Sequence, residues 1–293
     1  MPRSVIPLIL ACWLITLPTP GQESTEGEID PDNVASPLSL VELLPPGGIE
    51  DINIDFVTRS RTLREGAVNP SLDMYVRCII KPVNGQLHFY RQRVYERTQR
   101  FAIVSRTVYD AQGRFVSYDR LHLTADEVFS RTTASLEDDA LVLQTRQQGR
   151  SQSIESRVPR ERFEQTVPSA WLPLVYAYHF REEHLGFHLI TLDLDMGGRL
   201  TRYEVDDLGI EQYELSGQTH PAHLLKFDVT KLREQFIHAT GLRLSYYDRQ
   251  GRTLASTYTT PAYAIKTERL THEQAAEAFV GLEDDFPDPA RRD

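Results

Sequence analysis

Apolar residues recurring at every second position dominate this chain and limit what it can fold into. Leu72, Met74, Val76, Cys78 and Ile80 alternate with Ser71, Asp73, Tyr75, Arg77 and Ile79. Ile190, Leu192 and Leu194 alternate with Thr191, Asp193 and Asp195, and His223, Leu225, Phe227 and Val229 share one parity, as do Leu242, Leu244 and Tyr246. A period of two is the signature of strands with one face inward and the other toward solvent. Turn residues punctuate the runs. Asn84-Gly85 suits a tight hairpin, and DMGGR, EVDDLGIE and two Tyr-Asp-x-Gln-Gly-Arg segments, at Tyr109 and Tyr247, read as further hairpin loops.

Helical signals are few. SAWLPLVYAYHFR has Ser169 as a candidate cap and Pro173 in its first turn. THEQAAEAFVGL places Thr271 and Gln274 at capping-box spacing. The pattern predicts a mainly β fold: an antiparallel meander forming a barrel or half-barrel, with one central helix and a short C-terminal helix. The Trp171–Phe180 helix is expected to plug or cover an opening. The repeated Tyr-Asp-x-Gln-Gly-Arg segment fits either independent use of one turn chemistry or a sheet built from two related halves.

The ends differ from the middle. A lone Arg3, an apolar run from Val5 to Leu17 and small residues up to Gly21 read as a secretory signal over residues 1–21. The run is shorter than the ~20 residues a spanning helix needs, so no transmembrane anchor is expected. Cys12 offers an alternative, a lipid anchor, although Leu10 and the apolar residues after the cysteine fit it poorly. Residues 22–45 are acidic and read as a disordered tether. Residues 46–283 then form the β-barrel-like domain, and 284–293 a flexible tail.

Loss of the signal removes only Arg3 and moves the formal charge from −10 to −11. Nucleic acid, which selects a basic face, is therefore not an expected partner. Cys78 is then the only cysteine left, so an exported, periplasmic product has no internal disulfide and depends on its packed core.

Catalytic motifs are missing from the sequence. It has no GxSxG elbow, no phosphate loop and no dinucleotide glycine pattern, so no cofactor is expected. Cys78 falls on the apolar parity and reads as a small core residue. In YAYHFREEHLGFH, His179, His184 and His188 have spacings that suit neither one helical face nor direct chelation along a strand, where four residues span ~13 Å. His220 and His223 in HPAH are the remaining metal candidates, with Glu211, Glu214 or Asp228 as a further oxygen ligand. For an enzyme, His220, His223, Tyr213 and Arg202 would have to converge in space.

Aromatic residues interleave with arginines: Tyr75, Phe89, Tyr90, Tyr95 and Phe101 lie among Arg77, Arg91, Arg93 and Arg106. Several strands are apolar on both parities, which suits either a curved wall around a cavity or a helix laid on the outside. Apolar walls with a few polar groups are what small-ligand sites require. Met74, Val76, Ile80, Phe89, Ile103, Leu192, Phe227 and Leu244 are the expected cavity residues.

The order of a secretory signal, hairpins, a W-P-L-x-Y helix, FHLITLDLDMGGRLTRYEV, GIEQYELSGQTHPAHLLKF and a closing LRLSYYDRQGRTLASTY strand resembles an uncharacterised bacterial envelope β-barrel family, a domain of unknown function. That family is loosely similar to periplasmic lipoprotein-carrier half-barrels, and the resemblance covers roughly residues 70–268. It implies an exported, non-enzymatic protein that binds a lipid or another apolar or amphipathic envelope molecule. The alternatives are a polysaccharide-directed hydrolase or lyase of the envelope, and a structural module for a protein partner.

Overall fold

The computed structural model describes residues 40–64, 67–95, 101–124, 127–182, 187–231, 241–280 and 282. Among these, one sheet carries the fold. Its strands are β1 (Ile54–Arg64), β2 (Ala67–Val83), β3 (Gln86–Tyr95), β4 (Phe101–Asp110), β5 (Phe115–Thr124), β6 (Val128–Leu136), β7 (Ala140–Gln147) and β8 (Ile154–Pro159). They continue as β9 (Val167–Pro168), β10 (Phe187–Asp193), β11 (Arg199–Leu215), β12 (Gln218–Lys231), β13 (Gly241–Tyr247), β14 (Thr253–Thr259) and β15 (Ala264–Leu270).

Apart from β8 and β9, each strand pairs with its neighbours in sequence, and the first joins the last: Val57 of β1 lies opposite Leu270 of β15. All pairs are antiparallel except β9 with β10. The edges β8 and β9 do not hydrogen-bond to each other, so the sheet is an open, half-barrel-like meander. Its two sides approach through packing at Gly198, in the β10–β11 turn. A Cβ there would sit 2.8 Å from Val158 Cγ2 on β8.

Alternation along the meander gives the sheet two distinct ends. The β2–β3, β4–β5, β6–β7, β11–β12 and β13–β14 turns share one, here called end A, and the connections after β1, β3 and β5 share the other, end B. At end A the inner face is covered by helix α3 (Leu172–Glu182), preceded by a 3-10 turn at Ser169–Trp171. Ser169 thus lies within that turn rather than capping the helix, and its carbonyl accepts from Arg91 Nη2 at 3.4 Å.

The two Tyr-Asp-x-Gln-Gly-Arg segments form the same structure. Asp110 Oδ1 accepts the backbone N–H groups of Gln112 and Arg114, and Arg114 Nε donates to Oδ2 at 2.7 Å. Asp248 Oδ1 accepts from Gln250 and Arg252, and Arg252 Nε donates to Oδ2, again at 2.7 Å. Each tyrosine is fully buried against α3 or the turn leading into it: Tyr109 packs edge-on to Trp171 at 4.9 Å, and Tyr247 meets Tyr176 at 3.9 Å. Twin turns therefore grip one helical element at two points, Trp171 and Tyr176.

A second layer lies outside. Helix α4 (His272–Ala275) begins with the capping box that Thr271 and Gln274 predict, and a 3-10 turn follows at Ala276–Phe279. Phe279 and Leu282 pack on Ile79, Tyr90, Val94, Val104 and Leu121, the outward set of β2–β5. These strands are apolar on both parities because both faces are covered.

Two further sequence expectations need correction. EVDDLGIE is not a hairpin loop. It lies within β11 as a bulge, where Gly209 has φ +89 and its N–H donates to Asp207 Oδ1 at 2.8 Å. The real turn is Ser216-Gly217, both at positive φ. Packing also begins inside the stretch read as a tether: α1 (Leu40–Leu43) buries Leu43 in the core beside Ile80 and Trp171.

The grip on α3 predicts unequal glycine costs. Gly85, at φ +73, has open space around it, so Gly85→Ala should cost only the left-handed backbone penalty, about 1 kcal/mol. At Gly251, φ +72, a Cβ would fall 1.6 Å from the Pro173 carbonyl oxygen. Gly251→Ala should cost roughly 3 kcal/mol or more, because the turn must leave the helix. Urea unfolding of the two variants checks this; equal losses would refute the grip.

Candidate functional site

The residues expected to line a cavity divide into three groups. Ile80, Phe89, Leu192 and Phe227 are buried in the packed interior. Met74, Val76 and Ile103 face inward toward end B; Met74 and Val76 are half-buried and Ile103 is buried. Leu244 is a correction. It lies on the outer face, 36% exposed, while Arg243, Ser245 and Tyr247 point inward from β13. Parity was assigned there by hydrophobicity, and the interior of this strand is polar and aromatic. Arg243 lies over the Phe227 ring at 5.7 Å and donates to Ser245 Oγ at 2.9 Å.

Mid-barrel, the 3-10 turn Leu194–Met196 places Asp195 among inward arginines. Arg93 Nη2 and Arg91 Nη1 lie 3.0 and 3.3 Å from Asp195 Oδ2, and Tyr118 donates to Oδ1 at 2.8 Å. Arg120 donates to the Asp195 backbone carbonyl and, at 2.9 Å, to Thr132 Oγ1, which bonds Thr145 on β7. Burial by itself would raise the Asp195 pKa. The charges of Arg93 and Arg91, with hydrogen bonds from Tyr118 and Ser105, outweigh it and hold the carboxyl at about 2.

The cavity beside this network, against Cys78, Phe89 and Leu192, measures only about 20 Å³, room for about one water. Cys78 is buried there, and burial pushes its thiol up to about 11, so it is an unreactive core residue. Sequence reasoning saw the arginines but not their target, since Asp195 read as an ordinary turn aspartate in DMGGR.

Toward end B the same inner face carries an aromatic row across β3–β6. Tyr95 stacks on Phe101 at 4.3 Å, with the rings 13° from parallel. His122 follows at 5.3 Å and Phe129 at 5.4 Å. Register places Met74 opposite Tyr95, and Val76, Arg93, Ile103 and His122 in one cross-strand row. Burial first, and then the charge of Arg120, hold the His122 pKa below the usual imidazole value, so the ring is neutral at pH 7. Phe129, at a bulge, is 43% exposed. The row forms a half-buried apolar wall with Arg93 beneath it.

The histidine candidates do not converge. His220 and His223 are three residues apart on β12, an odd spacing that puts them on opposite faces. His223 is buried, with Nε2 2.5 Å from Asp207 Oδ1 and its ring edge-on to Phe180. Tyr213 meets Tyr246 with tilted rings, and Arg202 pairs with Glu204. No group of three His, Cys, Asp or Glu that could hold a metal exists among the described residues. The side chains of His179, His184 and His188 lie outside the described residues.

No family model matches the chain, and no curated protein does. Its fold is that of a solved β-barrel-like protein of the domain of unknown function DUF1849 from Brucella abortus. That match has 9% identity and TM-score 0.52, and covers 75% of this chain and 98% of that one. The hypothetical lipoprotein YmcC from Escherichia coli (K12) aligns over 73% of this chain and 86% of that chain, with 7% identity and TM-score 0.24. No helix among the described residues is long and apolar enough to cross a membrane. The chain thus has the β-barrel-like architecture of an uncharacterised family.

The Asp195 network sets an acid limit. A native carboxyl pKa below the unfolded value contributes stability that is complete above pH ~4 and is lost as pH falls toward 2, about 2 kcal/mol in all. Asp195→Asn should cost about 3 kcal/mol at pH 7, since it leaves Arg91 and Arg93 buried beside a neutral group. It should also flatten stability between pH 4 and pH 2. A wild-type slope retained in the variant, measured by denaturant titration, would assign the acid sensitivity elsewhere.

Proposed function

We propose that this chain is an exported, non-catalytic barrel-like protein that binds an apolar or amphipathic envelope molecule on the aromatic wall at end B. The observation that carries this reading is the half-buried Tyr95–Phe101–His122–Phe129 row, flanked by Met74, Val76 and Ile103. Aromatic rings kept partly open to solvent bind apolar chains and rings. The mid-barrel interior is not the proposed site, because a space of about 20 Å³ cannot take cargo. The signal-like N-terminus supports export.

Native mass spectrometry of protein purified gently from an envelope fraction tests the proposal. The expected result is an adduct of several hundred daltons that is lost on denaturation. Phe129→Asp, at an exposed position that should tolerate the change, is expected to lower occupancy roughly ten-fold, about the worth of one partly buried phenyl ring. A bare wild-type mass, together with failure of the aromatic wall to bind an apolar fluorophore, would favour a module for a protein partner.

A further inference from the structure

At end A, away from the aromatic wall, a second cleft of about 570 Å³ opens beside the β13–β14 turn, within the range of small-ligand sites. Phe56, Leu215 and Pro221 supply apolar surface, and Arg249, Arg252 and Arg269 also line it. Asp248 is the only carboxylate among its lining residues, although acidic residues outnumber basic ones 42 to 32 in the whole chain.

Asp248 is already saturated. Its Oδ1 accepts two backbone N–H groups, and its Oδ2 accepts both Arg252 Nε at 2.7 Å and Arg269 Nη1 at 2.9 Å. Two guanidinium groups therefore share one negative charge, with side chains only 28% and 20% exposed. Burial, and then the neighbouring Arg252 charge, push the Arg269 pKa below its ordinary value. Arg249 adds a third cation, set over the Phe180 ring.

The twin turn provides an internal control. There Asp110 pairs with Arg114 alone among the described residues, and Arg114 is 76% exposed. The turn itself needs one arginine. The second comes from β15, and its convergence in the cleft has no role in forming the turn.

We propose that this cleft binds the oxyanion of a small amphipathic ligand, a phosphate or carboxylate, between Arg252 and Arg269, with the ligand's apolar part against Phe56 and Leu215. Guanidinium pairs hold such groups through charge-assisted, often bidentate hydrogen bonds. The site is independent of the aromatic wall, and either can fail without the other.

The probes are n-hexyl phosphate, inorganic phosphate and n-hexanol, titrated by calorimetry against the full chain at low salt. Hexyl phosphate should bind the wild type, and Arg269→Gln should weaken it by ten-fold or more. Arg114→Gln, the matched change in the twin turn, should leave affinity unchanged. Because Arg252 also holds its turn, Arg252→Lys is the better variant there; it keeps the charge, loses the fork, and should bind several-fold more weakly. Inorganic phosphate binding as tightly as hexyl phosphate would support the oxyanion site and identify the free anion as its ligand. No binding to the wild type, equal losses in Arg114→Gln and Arg269→Gln, or hexanol matching hexyl phosphate would each overturn the proposal.

Discussion

The contact of α3 with the two buried tyrosines, Tyr109 and Tyr247, underlies the rest of the structure. An open sheet of this width exposes an apolar inner face unless something covers it, and no strand pairing joins its edges. One helical element does the covering at end A. Trp171, Leu174 and Val175 enter one core cluster with Phe56 and Ile80, and Tyr176 enters another with Phe227, so the helical element links the early and late strands. The hydrogen-bonded aspartate of each turn fixes the loop that carries the tyrosine, so local hydrogen bonding and long-range packing act on the same few residues.

Above that helix the interior changes character. Apolar packing gives way to the Asp195 network, whose charged groups are satisfied by residues from β3, β5 and the turn after β10. Such a network contributes little net stability compared with apolar packing of equal volume, but breaking it is costly. Its effect is to divide the molecule. The aromatic wall lies on one side of a polar layer, and the helix-covered core and the arginine cleft lie on the other.

Much of this was legible in the sequence. Strand periodicity, the Asn84-Gly85 and Tyr-Asp-x-Gln-Gly-Arg turns, the central helix and the Thr271 capping box each depend on local rules, and each is present. Strands apolar on both parities left two explanations open, and the C-terminal turns on the outer face account for β2–β5. What failed depended on distant neighbours. Leu244 looked inward because leucine usually is, yet Arg243 holds the inner position on the strength of Phe227, Tyr247 and Ser245. Gly209 looked like a turn, and only its partner strand shows that the ladder continues past it. The pairing of Arg252 with Arg269 could not be read at all, since it joins a turn to a strand end through an aspartate that the turn already used.

The pairing of β1 with β15 joins Val57 to Leu270, far apart in sequence. Neighbouring hairpins form from residues close in sequence, but this ladder and the outer seal by Phe279 wait for the last segment. During synthesis the molecule is therefore a string of local hairpins without a finished core. The sheet is complete only once β15 is available to pair with β1, so removing that last strand would open the whole meander at its middle rather than trim one edge.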